Sequence, residues 1–166
     1  LTLLPGRERL VVSRTMSKAF AFAGARVGYL AADPALIDAL RLVRLPYHLS
    51  ALTQAAAIAA LRHAPAMLAM VDDIVAQRDR ISATLDALGY EPFESWTNFV
   101  LFAGVDDPAA TWQGLYDQGV LVRDVGLPRS LRVTAGTEDE STAFLDALAS
   151  LGAGGAHAGT TARAQG

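Results

Sequence analysis

The sequence predicts an α/β protein in two parts: the C-terminal end of a larger α/β domain over residues 1–48, then a small α+β C-terminal domain with its connecting helices over 49–152 and a flexible tail over 153–166. Three observations carry this reading. Two short apolar strands near Leu1 are too few to close a sheet layer by themselves, so the chain reads as starting inside a larger domain. The middle third repeats its apolar residues at helical spacing. From Asn98 onward, strand and helix patterns alternate at short intervals, as in a compact α+β unit.

Taken in order, Leu10-Val11-Val12-Ser13-Arg14 is apolar and β-branched enough for a short buried strand, and Thr15-Met16-Ser17-Lys18 is a polar turn that follows it. Arg26 to Ala31 reads as the next strand. Asp33-Pro34 opens a helix to about Val43, with Asp33 as N-cap, Pro34 in the first turn, and Leu36, Ile37, Leu40 and Val43 on one face. Pro46 interrupts the pattern, and Ser50 caps an alanine-rich helix to about Arg62. A long amphipathic helix is expected from about Ala66 to Leu88, its charges Asp72, Asp73, Arg78, Asp79 and Arg80 mostly on the wet face, with Gly89 ending it. The remaining elements expected are a strand over Phe99–Phe102, a helix over Asp107–Gln118, strands over Val120–Arg123 and Ser130–Thr134, and a helix over Glu138–Leu151. Trp96 and Trp112 are assigned to the core or a domain junction. The Gly, Ala, Thr and Gln composition beyond Gly152 has too little apolar surface to order itself.

Composition narrows the function. A hydrophobic fraction of 52%, 19% charged residues and a net charge of −3 describe a globular chain without a polyanion-binding surface, so no nucleic-acid partner is expected. No run approaches the roughly 18 apolar residues of a membrane span, and the first ten residues lack a signal peptide's order, which makes a cytoplasmic enzyme without a membrane partner the expectation. With no cysteine, disulfides, thiolate metal sites and cysteine nucleophiles are excluded. His48, His63 and His157 are too scattered for a metal spacing, so no metal is expected.

Of the fourteen basic side chains thirteen are arginine, and Lys18 is the one lysine. Arginine stays protonated under physiological conditions, so a site that needs a neutral amine cannot use it. The count alone does not separate a reactive amine from a surviving surface lysine. Its surroundings say more. Thr15, Ser17, Lys18 and Arg26 lie within a dozen residues, joined by small residues that let backbone approach a ligand. Hydroxyls and a guanidinium hold a phosphate well, while a nearby amine is free to condense with an aldehyde.

The stretch S-R-T-M-S-K-A-F-A-F-A-G-A-R-V-G-Y, Ser13 to Tyr29, resembles the lysine-containing motif of fold-type I aminotransferases, Ser-x-Ser-Lys-x-Phe-x-x-x-Gly-x-Arg-x-Gly. Two further stretches, G-V-L-V-R-D over Gly119–Asp124 and L-R-V-T-A-G-T over Leu131–Thr137, are similar to those of the histidinol-phosphate aminotransferase subfamily, as is Arg44 to Ser50. The resemblance covers about residues 9–151 and the last half of a typical member. It implies pyridoxal 5'-phosphate as cofactor, Lys18 as the catalytic lysine that bonds to it, and Thr15, Ser17 and Arg26 on its phosphate. It implies Arg132 on the anionic head of the substrate, with Arg123 assisting at the substrate phosphate. A planar guanidinium suits both carboxylate and phosphate, which matters for a subfamily that accepts glutamate in one half-reaction and histidinol phosphate, with no carboxylate, in the other.

The implied reaction is amino transfer from L-histidinol phosphate to 2-oxoglutarate in histidine biosynthesis, by a homodimer when full length. Relatives with nearly the same motif act on aromatic amino acids or decarboxylate threonine phosphate, and a non-catalytic module is the alternative of another class. Asn98 matches a family position and also suits a turn that starts a strand. Tyr47 and His48 read as packing or hinge residues. The family's aspartate partner for the cofactor ring lies outside the matched stretch, so the chain taken alone is expected to transaminate weakly or not at all.

Overall fold

The computed structural model describes residues 1–155. They form two compact units, divided between Val71 and Asp72. In the first, β1 (Val12–Thr15) and β2 (Gly28–Ala31) pair antiparallel, with Val12 opposite Ala31, Ser13 opposite Leu30, Arg14 opposite Tyr29 and Thr15 opposite Gly28. A single turn of 3-10 helix, Ala23–Ala25, sits in the connection. β1 is shifted two residues later at its start than the apolar run that predicts it and takes in Thr15, while β2 starts two residues later than expected because Arg26 takes a left-handed conformation at the end of that turn.

Helix α1 (Pro34–Val43) starts where Asp33 accepts a hydrogen bond from the Ala35 N–H at 2.9 Å. Helix α2 (Ala51–Arg62) starts where Ser50 accepts one from the Thr53 N–H at 3.0 Å. Each satisfies an amide that the helix itself leaves without a partner. Helix α3 (Ala64–Ala87) begins two residues earlier than expected, since Pro65 falls in its first turn, where a missing N–H costs nothing. It ends as expected at Gly89, whose φ is +86°. The Tyr90 N–H then donates to the Leu85 carbonyl at 3.0 Å, a Schellman-type closure that glycine's freedom at positive φ permits.

The second unit is built on a three-stranded antiparallel sheet in the order β3 (Glu91–Pro92), β4 (Phe99–Ala103), β5 (Leu131–Thr134). Helices α4 (Pro108–Asp117) and α5 (Glu138–Gly155) complete it. Strand alternation sorts the side chains: Val100, Phe102, Leu131 and Val133 are buried on one face and pack with Ile81, Leu85, Leu115, Phe144 and Leu148. Burying each large side chain contributes roughly 1.5–3 kcal/mol before chain entropy is counted. Gly114 lets α4 come close to α5, for a Cβ there would stand 2.8 Å from Leu151 Cδ2.

Several sequence expectations need correction. Val120–Arg123 is no strand; its only ladder contact is an isolated bridge from Arg123 to Arg132. The Val120 N–H bonds back to the Leu115 carbonyl and the Val122 carbonyl accepts from Trp112 Nε1 at 2.9 Å, so the backbone groups a strand would use are taken. Strand β3 escapes the pattern because it is two residues long and contains Pro92, which only an edge strand tolerates. Trp96 is not a core residue but stands 84% exposed in the β3–β4 turn. On α3, Asp72, Asp73 and Asp79 are exposed as expected, whereas Arg78 and Arg80 are half-buried. Arg80 Nη2 donates to Thr142 Oγ1 at 2.8 Å. Helix α5 runs on to Gly155, and the rest of the tail expected over 153–166 lies outside the described residues.

Candidate active site

Residues 16–27 form a loop closed at its base. The Met16 N–H donates to the Val27 carbonyl at 3.1 Å, and the Met16 side chain is buried beneath. Just outside that closure Thr15 faces Gly28 across the ribbon. A Cβ at residue 28 would stand 2.5 Å from the Arg14 carbonyl oxygen, so glycine is what lets the strands meet here. The loop thereby gathers Thr15, Ser17, Lys18 and Arg26 from one continuous stretch.

The polar groups of the loop are ordered among themselves. The Ser17 N–H donates to Thr15 Oγ1 at 3.1 Å, and the Thr15 hydroxyl donates to Ser17 Oγ at 2.8 Å. That direction of donation leaves the Ser17 O–H without an acceptor among the described residues. Lys18 follows in an exposed turn, closed by the Ala21 N–H donating to the Lys18 carbonyl at 3.0 Å. Its amine has no ion-pair or hydrogen-bond partner among the described residues. Ala21 and Arg26 both have φ of 51°, a region that side-chain-bearing residues seldom occupy. Arg26 Nη1 donates to the Ala23 carbonyl at 3.1 Å, which leaves most of the guanidinium's five donors available.

In the second unit the structure brings Arg123 and Arg132 together. Their backbones exchange both hydrogen bonds, Arg123 N–H to Arg132 carbonyl at 2.8 Å and Arg132 N–H to Arg123 carbonyl at 2.9 Å. Directly opposed residues of an antiparallel pair project to the same face. That face is the one away from Leu131 and Val133, hence away from the core. The Arg132 guanidinium lies 4.6 Å above the Phe99 ring centroid, and its Nε is buried without a hydrogen-bond partner. Neither arginine forms an ion pair with a carboxylate among the described residues. Two like charges set opposite each other without an acid are unfavourable until an anion joins them.

Tyr47 is 98% exposed, and His48 lines an open groove of about 660 Å³ with Arg14, Tyr29, Ile37, Leu40 and Arg44. None of Thr15, Ser17, Lys18 and Arg26 lines that groove. The Asn98 carbonyl accepts from the Ala135 N–H at 2.9 Å. No group of three or more metal-ligating side chains occurs among the described residues. Phe99 is the residue that sequence reasoning passed over. Its alternation with Val100 and Phe102 would have placed it on the face of Arg132 rather than in the core.

Residues 1–148 match the aminotransferase class I and II family. The chain is 66% identical over 151 residues to a histidinol-phosphate aminotransferase of Paenarthrobacter aurescens, covering 91% of this chain and 41% of that protein. It is 58% identical over 151 residues to one of Streptomyces avermitilis, with the same coverage. A solved structure of histidinol-phosphate aminotransferase from Sinorhizobium meliloti in complex with pyridoxal-5'-phosphate is similar with a TM-score of 0.71 and 28% identity, over 89% of this chain and 43% of that one. The chain thus spans about two fifths of the length of the curated relatives it matches.

Proposed function

The chain belongs to the class I and II aminotransferases, and from that premise we propose that it carries the lysine loop and substrate-side arginines of a histidinol-phosphate aminotransferase. The reaction is amino transfer between L-histidinol phosphate and 2-oxoglutarate in histidine biosynthesis, by a cytoplasmic homodimer that uses pyridoxal 5'-phosphate. The observation that carries the reading is the closed 16–27 loop, which carries an amine without a partner among the described residues and, in the same stretch, the free donors of Ser17 and Arg26.

The fit to that cofactor rests on those donors. The unengaged Ser17 O–H, held by its two hydrogen bonds with Thr15, and the spare N–H groups of Arg26 suit a dianionic phosphate. When bound, pyridoxal 5'-phosphate supplies an aldehyde that captures amines and a ring that withdraws electrons from the reacting carbon. Lys18 Nζ then has two tasks: it holds the cofactor between turnovers, and it moves the proton at the substrate carbon that bears the amino group. Arg132 binds the anionic end of either substrate, carboxylate or phosphate, and Arg123 assists at the phosphate of histidinol phosphate.

The test replaces the matching part of the Paenarthrobacter aurescens enzyme with this chain. The chimera is expected to transaminate histidinol phosphate in preference to phenylalanine, and Lys18→Ala to lower kcat about a hundred- to ten-thousandfold. Activity that survives Lys18→Ala, or a preference for phenylalanine, refutes the assignment.

A further inference from the structure

Phe99 is placed under Arg132 by the register of the sheet. Phe99 opposes Thr134 and Leu101 opposes Arg132, so Phe99 and Arg132 are diagonal neighbours on the face turned from the core. The guanidinium carbon sits 4.6 Å above the ring centroid, within the range of a cation–π contact. A flat guanidinium stacked on a ring has one face occupied and its edge free. The edge itself is divided: Nε is buried without an acceptor, while neither terminal nitrogen is engaged by a carboxylate among the described residues. An arginine on a floppy stem commonly turns to the nearest acid. Here the ring below and Arg123 opposite leave it unneutralised, with its nitrogens available to an incoming anion.

We propose that Phe99 is a positioning residue: its ring holds the Arg132 guanidinium in the orientation that receives the anionic group of the substrate. This rests on the reading of Arg132 as the anion binder. Phe99 touches no substrate in this scheme, and its effect is exerted through Arg132.

The experiment follows the side-chain Nε–Hε resonances of the chain by NMR while inorganic phosphate is titrated, in the unaltered protein, Phe99→Leu, Phe99→Tyr and Arg132→Ala. The ring current of Phe99 is expected to move the Arg132 signal upfield, and phosphate to perturb the Arg132 and Arg123 signals together. Phe99→Leu keeps apolar bulk at a half-buried strand position; it is expected to return the Arg132 signal to its ordinary position and to weaken phosphate binding roughly tenfold. Phe99→Tyr, which keeps the ring, is expected to restore both. A purely structural role for Phe99 would disturb the backbone spectrum of β4 and β5 without this rescue. Unchanged Arg132 position and phosphate affinity in Phe99→Leu overturn the inference, as does failure of Phe99→Tyr to rescue. Phosphate that leaves Arg132 unaffected in the unaltered protein, or binds equally well to Arg132→Ala, overturns the reading of Arg132 itself and the inference with it.

Discussion

Arg123 and Arg132 differ in what surrounds them although they share a backbone pair. Arg132 is half-buried and stacked on Phe99, whereas Arg123 is exposed at the end of a segment that joins the sheet through one bridge only. Under the proposed function, the stacked group suits a contact common to both half-reactions, and the exposed one suits the phosphate that only histidinol phosphate carries. In the chimera, Arg123→Ala is therefore expected to raise the KM for histidinol phosphate about tenfold, the worth of one or two hydrogen bonds to a charged group, and to leave phenylalanine turnover nearly unchanged. Equal losses on both substrates in steady-state assays would remove the phosphate-specific role. The candidacy of Lys18 rests on its rarity and its neighbours, both read within one short stretch of sequence. The pairing of the two arginines was not legible, because they stand nine positions apart and the intervening segment, which includes a turn where the Gly126 N–H donates to Asp124 Oδ1 at 2.8 Å, folds one back on the other.

Among the elements, α5 opens on a capping box that the sequence analysis did not single out. Glu140 accepts hydrogen bonds from the Thr137 N–H at 2.8 Å and the Thr137 hydroxyl at 3.0 Å, and the Glu140 N–H donates to Thr137 Oγ1 at 3.3 Å. The backbone bond first, and the hydroxyl bond second, hold the Glu140 carboxyl below its ordinary range. A carboxyl with a lowered pKa in the folded state stabilises the fold above its ordinary titration range, and that contribution is lost as pH falls through the lowered value. Glu140→Gln should accordingly have a lower Tm than the unaltered chain at pH 7, with the difference shrinking between about pH 5 and pH 3. A Tm difference that stays constant across thermal scans at these pH values contradicts the assignment. Helix starts were readable where Asp or Ser stood one residue before an apolar period, as at Asp33 and Ser50, and both caps are made; Asp107, expected as the first residue of its helix, caps α4 instead by accepting from the Ala110 N–H. The Val120–Arg123 segment was misread because β-branched content says nothing about where backbone donors find partners.

Across the described residues, the two units differ in how much they bury. In the first, only Met16 and Ala57 are buried, and α1 buries no residue at all. The second has a continuous core from Ile81 to Leu148, with Leu85, Phe102, Leu115 and Leu131 wholly inaccessible to solvent. Stability follows buried apolar area, so backbone amides of β4, β5 and α5 are expected to exchange with deuterium far more slowly than those of β1, β2 and α1. Leu131→Ala should destabilise the second unit by about 2–5 kcal/mol in denaturant unfolding, since it removes a fully buried side chain from the sheet. Comparable exchange rates in the two sets of strands would mean that burial is not what stabilises the second unit.

The sequence by itself determined the fold class, the helix boundaries set by caps, and the lysine loop, because each depends on residues close together in the chain: a cap on its next few amides, a closed loop on its own small residues. The family resemblance was legible for the same reason, being carried by contiguous motifs. Only the tertiary structure decided that Arg123 lies opposite Arg132, that Phe99 lies beneath Arg132, and that Trp96 faces solvent. The first two depend on strand register, where a shift of one residue turns every side chain to the other face, and the third on a turn outside the ladder. Register is settled by how the whole inner face packs against α3, α4 and α5, and no local pattern contains that information.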